Sequence, residues 1–252
     1  MSDGSRPTLH VVAGPNGSGK STLTAGGAVG EGRIIDPDAI ARSIRPDQPE
    51  AAAVAAGREA IRQQGAAIAA RESFTVETTL SGARTMRLMD QACDAGFRVE
   101  LHYVSPGDPR VNVGRVASRV EQGGHHVPTE DVLRRFERST ENLPQAIAKA
   151  DSATLYDSSG RAYTRVAAEL DRDGFAFKEG APRWATNAAG DAARIWKAEA
   201  ATVKEENAAT MREAEAAHAQ GEMSSVELEE LREFQASRDS QAERDGPGGL
   251  RE

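Results

Sequence analysis

Residues 14–21 read Gly14-Pro15-Asn16-Gly17-Ser18-Gly19-Lys20-Ser21, and Thr22 follows them. The stretch fits G-x-x-x-x-G-K-[ST], a pattern in which glycines let backbone N–H groups turn inward around phosphate oxygens. In such loops the lysine reaches the β- and γ-phosphates of a nucleoside triphosphate, and the hydroxyl group holds Mg²⁺. We therefore predict a phosphate-binding loop, here called the P-loop, that holds ATP along residues 14–22, with Lys20 on the phosphates and Ser21 on Mg²⁺.

The flanks of the P-loop favour the same interpretation. Residues 8–13 predict a buried strand, and a helix is predicted to begin near Lys20. That helix directs its N-terminus, which carries partial positive charge, at the bound anion. The alternative interpretation is a glycine-rich turn between a strand and a helix that binds nothing.

Strands alternate with helices up to about residue 160. Further strands are predicted at 33–36, 73–78, 97–104 and 153–157, and helices at 51–72, 83–95, 109–122 and 129–149. This alternation predicts a parallel sheet with helices on both faces. The predicted fold class is an α/β P-loop NTPase with a small helical lid and a helical C-terminal extension.

The composition changes after about residue 180. Residues 1–180 are predicted to form the P-loop domain, and residues 181–252 a charged extension that is helical or partly disordered. The extension holds 15 acidic and 9 basic residues, and its helical stretches are predicted at 188–220 and 224–237. We hypothesise that these acidic helices pack on the domain, bind a partner or cover the nucleotide site.

Charge and hydropathy exclude several classes of function. No stretch approaches the ~18 apolar residues that span a bilayer, so a membrane protein is not expected, and a cytoplasmic location is predicted. The net charge of −8 argues against a nucleic-acid-binding surface over the whole molecule, because such binding depends on neutralising phosphates. The single cysteine, Cys93, is expected to be a small core residue of a helix.

Two carboxylates follow the second predicted strand. Asp36 and Asp38 flank Pro37 at a position where a carboxylate lies beside the γ-phosphate and accepts the proton of an attacking hydroxyl. The alternative interpretation is a turn and an N-cap ahead of a short helix at 39–43.

A polar segment leaves the third predicted strand. Residues 77–84 read Glu77-Thr78-Thr79-Leu80-Ser81-Gly82-Ala83-Arg84. Because α/β sheets bind ligands at strand ends, these groups are predicted to orient an acceptor molecule. Leu80-Ser81-Gly82 also resembles the start of the ABC-transporter helix motif, but it follows the P-loop too soon, and no hydrophobic run ending in Asp-Glu comes after it.

A third cluster predicts a lid over the nucleotide. It consists of two arginine-bearing helices joined by a glycine-hinged loop: Arg115, Arg119, Gly123-Gly124-His125-His126-Val127-Pro128, Arg134 and Arg135. Phosphoryl transfer needs cations on the transferring group, and a closing lid can supply them. The alternative for any one arginine is a solvated side chain or an ion pair with a nearby glutamate.

These motifs together resemble the zeta toxin family of P-loop kinases, over about residues 8–160. The resemblance is closest to a bacterial branch often labelled predicted ABC-type ATPases. It implies an ATP- and Mg²⁺-dependent enzyme that phosphorylates UDP-N-acetylglucosamine at its 3′-hydroxyl. It also implies a possible antitoxin protein as partner.

Carried onto this sequence, the resemblance assigns roles to individual residues. It makes Lys20 the phosphate lysine, Ser21 the Mg²⁺ ligand and Asp38 the general base. The acceptor-binding positions that it implies are Glu59 and Glu77, with Thr78 and Thr79 beside the latter. The lid arginines are Arg119 together with Arg134 or Arg135.

The acceptor stays open at this point. The P-loop and the Gly-Gly-His-x-Val-Pro lid segment differ from those of the well-studied toxins, so a kinase for another metabolite, such as a nicotinamide dinucleotide, is a second hypothesis. A third hypothesis is a binding module that uses ATP occupancy to switch partners without transferring phosphate. A complete set of base and lid arginines favours a kinase over such a module.

Overall fold

The computed structural model describes residues 6–27, 29–30, 32–124, 127–160, 165–171 and 174–244. His125 and His126 of the predicted lid lie outside the described residues, as do residues 245–249.

Seven strands form one sheet within the described part of the chain. They are β1 Thr8–Ala13, β2 Arg33–Ile35, β3 Phe74–Thr78, β4 Arg98–Ser105, β5 Ser152–Asp157, β6 Arg165–Asp171 and β7 Gly174–Phe177. Their order is β2-β3-β1-β4-β5-β6-β7, and the first five of these run parallel. All five predicted strands are therefore present, and their carboxyl ends share one edge of the sheet.

Helices connect the parallel strands. They are α1 Lys20–Ala25, α2 Pro37–Ile44, α3 Ala53–Ala70, α4 Ala83–Asp94, α5 Pro109–Glu121, α6 Thr129–Ala148, α7 Arg183–Ala219 and α8 Ser225–Arg244. A 3₁₀ turn over Pro49–Ala52 precedes α3. No described helix combines the length and the apolar character needed to cross a membrane.

Both faces of the sheet are buried, as the predicted α/β class requires. Leu9 and Val11 of β1 belong to the main core, whereas Val12, one position along, packs with Leu23 of α1. Successive side chains of a strand point to opposite faces, so this split shows helices covering each face. The P-loop NTPase-like fold predicted from the sequence is confirmed.

The sheet is not wholly parallel, which corrects the prediction. β6 pairs antiparallel with β5, and β7 antiparallel with β6. Neither strand was predicted: in β6, residues 165–171 read RVAAELD, where Ala, Glu and Asp have low β-propensity, and β7 is only four residues long. β6 forms a strand because the free edge of β5 supplies hydrogen-bonding partners, and β6 supplies them in turn to β7.

The core extends past the predicted domain boundary at residue 180. Ala185, Ala189 and Ala192 of α7 are fully buried, and the indole N–H of Trp196 donates to the carbonyl of Ala148 at 2.9 Å. The first part of α7 thus packs on α6 as a core helix. Sequence composition concealed this, because buried alanines look the same as the alanines of an exposed charged helix.

Cys93 is exposed, so its prediction as a core residue is wrong. Thr129 is the first residue of α6 and makes no side-chain cap. Pro128 precedes the helix there, and its fixed φ suits a helix entry without any capping side chain.

The contact of α7 with the core gives a stability prediction. Trp196→Ala is expected to lower the free energy of unfolding by about 3 kcal/mol, because it leaves a cavity under a largely buried indole and removes its hydrogen bond. Lys197→Ala, one position along on the exposed side of α7, is the matched control and should change it by less than about 0.5 kcal/mol. Urea unfolding followed by circular dichroism measures both. Equal midpoints for the two variants would contradict the assignment of α7 to the core.

Candidate active site

The backbone of the P-loop adopts conformations that require glycine. Gly14, Gly17 and Gly19 have φ values of 145°, 74° and 103°, a region that L side chains rarely enter. A Cβ on Gly14 would also lie 2.2 Å from the carbonyl oxygen of Val104, so β4 passes directly against the loop. The glycines therefore serve both the turn and its close packing on the sheet.

Lys20 is held inside the loop by backbone carbonyls. Its Nζ donates to the carbonyl oxygens of Gly14 at 2.7 Å and Pro15 at 3.1 Å. Burial lowers the pKa of Lys20 to about 8, and nearby Glu77 opposes that shift. An anion arriving in the loop would find a cation to which no described carboxylate is directly bonded.

A cleft of about 440 Å³ opens beside the P-loop. It is lined by Asn16, Gly17, Gly19, Lys20, Ser21, Thr22, Asp36, Pro37, Asp38, Glu77, Thr78, Thr79, Arg115, Arg119 and Arg135. No cleft-lining residue comes from α7 or α8, so the hypothesis that the acidic C-terminal helices cover the nucleotide site finds no support among the described residues. The carboxyl ends of β1, β2 and β3 together with α5 and α6 build the site.

The two carboxylates after β2 have different roles. Asp36 is the N-cap of α2, and its side chain accepts from the N–H groups of Asp38 and Ala39 at 2.9 and 3.2 Å. Asp38 sits in the first turn of α2, and its carboxylate makes no hydrogen bond or ion pair with any described residue. Both interpretations of the Asp-Pro-Asp segment thus apply, one to each carboxylate.

Glu77 lies beside the predicted metal ligand. Its carboxylate accepts from the hydroxyl of Thr24 at 2.7 Å and from that of Ser21 at 3.3 Å. β3 is the direct neighbour of β1 in the sheet, which brings the end of β3 against the start of α1. Strand adjacency is a tertiary property, so the sequence did not associate Glu77 with Ser21.

The two threonines after Glu77 are fixed by short-range contacts. The hydroxyl of Thr78 shares a hydrogen bond with that of Thr85 and accepts from the N–H of Leu80, while the hydroxyl of Thr79 bonds to that of Ser81. Leu80 itself is fully buried with a φ of 56°, a left-handed conformation that is uncommon for this residue type. The strained turn keeps Thr78 and Thr79 at the cleft wall.

The structure separates the two adjacent arginines of α6. Arg135 lines the cleft, and its Nη1 donates to the side-chain oxygen of Asn16 at 3.4 Å. Arg134 faces away and pairs with Asp131 at 2.8 Å. Arg119 of α5 also lines the cleft.

Arg115 and Asn112 of α5 hold the P-loop in place. Asn112, fully buried, donates its amide to the carbonyl of Asn16 at 2.6 Å. Arg115 donates to the carbonyls of Gly17 at 3.4 Å and Ser158 at 2.6 Å, which ties the P-loop to the turn after β5. The sequence pattern predicted Arg115 as a lid cation and carried no signal for Asn112.

Comparison with known proteins places this fold and site in a family. A profile of a family described as an AAA domain matches residues 9–143, which is more than half of the chain. The chain belongs to this AAA domain family. The match runs from β1 into α6 and includes all the cleft-lining residues named above.

One curated relative of this AAA domain is an uncharacterised protein of Haemophilus influenzae. It is 39% identical over 123 residues, which cover 49% of this chain and 88% of the relative. Two similar solved structures are complexes of AvrRxo1-ORF1 with AvrRxo1-ORF2, one with sulphate ions (TM-score 0.57, 17% identity) and one with ATP (TM-score 0.55, 18% identity). They cover 71% and 70% of this chain, and the chain spans 62% of the length of each. At this identity the likeness shows the fold.

Glu59 does not line the cleft of this AAA domain. It lies on α3, where its carboxylate accepts from Arg62 at 2.6 Å and Gln63 at 2.7 Å. The hydrogen bonds from Arg62 lower the pKa of Glu59 to about 2. The resemblance assigned Glu59 to acceptor binding, and the structure gives its carboxylate a local partner instead.

Proposed function

We propose that this AAA domain is an ATP-dependent small-molecule kinase that transfers the γ-phosphate of Mg·ATP to a hydroxyl group of UDP-N-acetylglucosamine or a similar nucleotide metabolite. One observation carries the proposal: a single cleft brings together the P-loop, a carboxylate at Asp38 that pairs with no described residue, and the arginines Arg119 and Arg135. These are the phosphate cradle, the base and the cations that phosphoryl transfer requires.

The triphosphate would lie along the P-loop at the N-terminus of α1. Lys20 Nζ would exchange the carbonyls of Gly14 and Pro15 for β- and γ-phosphate oxygens, since it already points into the loop. One of the similar AvrRxo1-ORF1 complexes contains ATP, which agrees with this assignment.

Mg²⁺ fits the oxygen donors at this end of the cleft. Ser21 Oγ and a Glu77 carboxylate oxygen lie 3.3 Å apart, and Mg²⁺ prefers such hard oxygen ligands together with water and phosphate. We propose Ser21 as the direct ligand and Glu77 as the carboxylate that orients it. Bound Mg²⁺ would supply neutralisation of the charge on the phosphates.

Asp38 would act on the acceptor. Its carboxylate accepts the proton of the acceptor hydroxyl while that oxygen bonds to the γ-phosphorus, and the bond from phosphorus to the β–γ bridging oxygen breaks to release ADP. Arg119 and Arg135 stabilise the charge on the transferring group from the α5 and α6 side of the cleft.

We propose that the acceptor lies next to the cleft. A cavity of about 170 Å³ shares Pro37, Glu77, Thr78 and Thr79 with the cleft and extends to Arg84. Arg84 donates to Gln64 at 3.3 Å, and burial lowers its pKa. A cation in this position favours an acceptor that carries phosphate, as both nucleotide sugars and dinucleotides do.

The pKa of Lys20 predicts a pH dependence of ATP binding. In the free protein the pKa of Lys20 is about 8, and the triphosphate binds the charged form of the lysine. The ATP dissociation constant should therefore rise about tenfold between pH 7 and pH 9. Lys20→Arg keeps its charge throughout this range, so its profile should be flat. Isothermal titration at pH 7, 8 and 9 makes the comparison. A flat wild-type profile would contradict the role of Lys20.

The position of Glu77 predicts its effect on the metal requirement. Glu77→Gln should raise the Mg²⁺ concentration for half-maximal activity about tenfold, because a carboxylate that orients a metal ligand typically contributes that much to affinity. Glu59→Gln is the matched control, since Glu59 does not line the cleft. If both variants keep the wild-type Mg²⁺ dependence, Glu77 does not support the metal.

The proposal is tested by identifying the product. Metabolites are extracted from cells that express the wild-type chain or its Lys20→Ala variant and compared by mass spectrometry. A gain of one phosphate on UDP-N-acetylglucosamine in the wild type alone supports the favoured acceptor. A gain of one phosphate on a nicotinamide dinucleotide supports the alternative acceptor. If no phosphorylated metabolite distinguishes the two and the purified chain does not consume ATP, the kinase proposal fails.

A protein partner is also proposed. AvrRxo1-ORF1 is in complex with AvrRxo1-ORF2 in the similar structures, and an antitoxin-like partner for this chain would be the counterpart. Co-purification of the chain with the product of an adjacent gene tests it. The competing hypothesis is a binding module. In that case the chain would bind its partner only in the presence of ATP, and it would not hydrolyse or transfer the γ-phosphate.

A further inference from the structure

A second group of chemically active side chains lies on the other side of β1 from the main core. His10 is on β1, and Glu100 and His102 are on β4. The parallel register pairs His10 with Glu100 and Val12 with His102, so all three side chains leave the same face of the sheet. None of them lines the ATP cleft.

The three side chains converge. One nitrogen or carboxylate oxygen from each lies within 4.8 Å of the others, and this is the one group of three His, Cys, Asp or Glu residues with such spacing in the described part of the chain. His10 Nδ1 is 3.2 Å from Glu100 Oε2. Two ligands of a tetrahedral Zn²⁺ ion with bonds of about 2.1 Å lie about 3.4 Å apart, so this pair already has a metal-binding separation.

Each of the two imidazoles has a buried ring nitrogen without a hydrogen-bonding partner among the described residues. His10 is 6% exposed and His102 9% exposed. His10 Nδ1 and His102 Nε2 are both buried without a hydrogen-bond partner among the described residues, although Glu100 Oε2 lies 3.2 Å from His10 Nδ1. Buried polar atoms are rarely left unpaired, and an unobserved ion is one standard reason.

A neighbouring tyrosine sets the orientation of His102. The hydroxyl of Tyr156 lies 3.4 Å from His102 Nδ1. With the ring proton on Nδ1 this hydroxyl is its acceptor, whereas a proton on Nε2 would be buried without any acceptor. The favoured tautomer therefore leaves a lone pair on Nε2. Metal-binding histidines are commonly held in this way by a hydrogen bond at the other ring nitrogen.

We propose that His10, Glu100 and His102 form a binding site for a divalent transition metal ion, with Zn²⁺ as the best match to two imidazole nitrogens and one carboxylate oxygen. Such a donor set leaves a fourth position for water. The second carboxylate oxygen of Glu100 forms an ion pair with Arg98 Nε at 2.9 Å, which fixes the carboxylate and moderates affinity for a cation.

The site would connect two strands that support the P-loop. β1 runs directly into Gly14, and β4 passes against Gly14 through the carbonyl of Val104. The loop at Gly30 closes over His10, because a Cβ there would lie 2.5 Å from the imidazole ring. A bound ion would cross-link β1 to β4 beneath the nucleotide site, and its expected effect is on stability.

Zinc binding to the full chain tests the site. The chain is prepared without a histidine tag, on a His125→Gln/His126→Gln background that removes the adjacent lid histidines, and is freed of metal with EDTA. It is then titrated with Zn²⁺ against a chromophoric chelator, without nucleotide or Mg²⁺. We expect one Zn²⁺ per chain and at least about tenfold weaker binding in Glu100→Gln and in His102→Gln.

The matched control is His218→Gln, which changes a histidine of α7 outside the group. It should bind Zn²⁺ as the background does. The second readout is the melting temperature, which Zn²⁺ should raise in the background and the control but not in Glu100→Gln. Glu100→Gln keeps the shape and an acceptor for Arg98, so it remains a valid test if His102→Gln does not fold. The proposal is overturned if the background protein does not bind one Zn²⁺ per chain. It is also overturned if Glu100→Gln binds Zn²⁺ as tightly as the background does.

Discussion

Replacing Asp38 with asparagine is expected to lower kcat about 10³-fold and to leave the ATP dissociation constant within about twofold. The amide is isosteric with the carboxylate but cannot accept the proton of the acceptor hydroxyl. Because the Asp38 carboxylate makes no hydrogen bond with any described residue, its replacement should not disturb the fold. Turnover is measured as ADP release with UDP-N-acetylglucosamine, or with the acceptor that the metabolite comparison identifies, and ATP binding is measured by calorimetry.

Asp36→Asn is the matched control, two positions away on the same turn. Asparagine caps a helix about as well as aspartate, so this variant should keep the N-cap of α2 and most of the activity. Lys20→Ala is the contrasting variant, because it should lose turnover and ATP affinity together. If Asp38→Asn turns over at the wild-type rate, the base has been assigned to the wrong residue.

The second large expected effect is a difference in kcat between the Arg135→Ala and Arg134→Ala variants. Arg135→Ala should lower kcat about 10³-fold, because a cation on the transferring phosphate typically contributes at least that much. Arg134→Ala should change kcat by less than about threefold, since Arg134 pairs with Asp131 on the exposed side of α6, where an ion pair contributes little. Both are measured at saturating ATP and acceptor.

Arg135→Lys sharpens this comparison. A lysine keeps the charge but not the planar fork of donors, so partial recovery of kcat relative to Arg135→Ala would show that charge at this position assists transfer. Equal losses in Arg134→Ala and Arg135→Ala would indicate that α6 as a whole, and not one arginine, is being perturbed. In that outcome the assignment of Arg135 fails.

Most of the parallel sheet was predictable because its signals are local. Each parallel strand is a short apolar run bounded by turn residues, and the P-loop identifies the first of them. The antiparallel strands β6 and β7 were not predictable, since β6 acquires its strand conformation by pairing with the edge of β5, and β7 by pairing with β6. The burial of α7 was missed for a similar reason, because whether an alanine stripe is core depends on what packs against it.

The site residues also divide into those that local sequence signals predict and those that depend on tertiary packing. Motif spacing identified Lys20 and Ser21, and the family resemblance singled out Asp38 from the two carboxylates after β2; the structure gathers all three residues in one cleft. Patterns could not choose between Arg134 and Arg135, because that choice depends on which side of α6 faces the P-loop.

The P-loop by itself determined the class of fold and the proposed place of the phosphates, because its glycines, lysine and serine act through backbone conformation and charge over eight consecutive residues. Tertiary structure alone decided that Glu77 lies beside Ser21, that Asn112 and Arg115 hold the loop, and that two histidines and a glutamate converge beneath it. These contacts join residues that are distant in the chain. Their distances follow from strand order and helix packing, which no local pattern encodes.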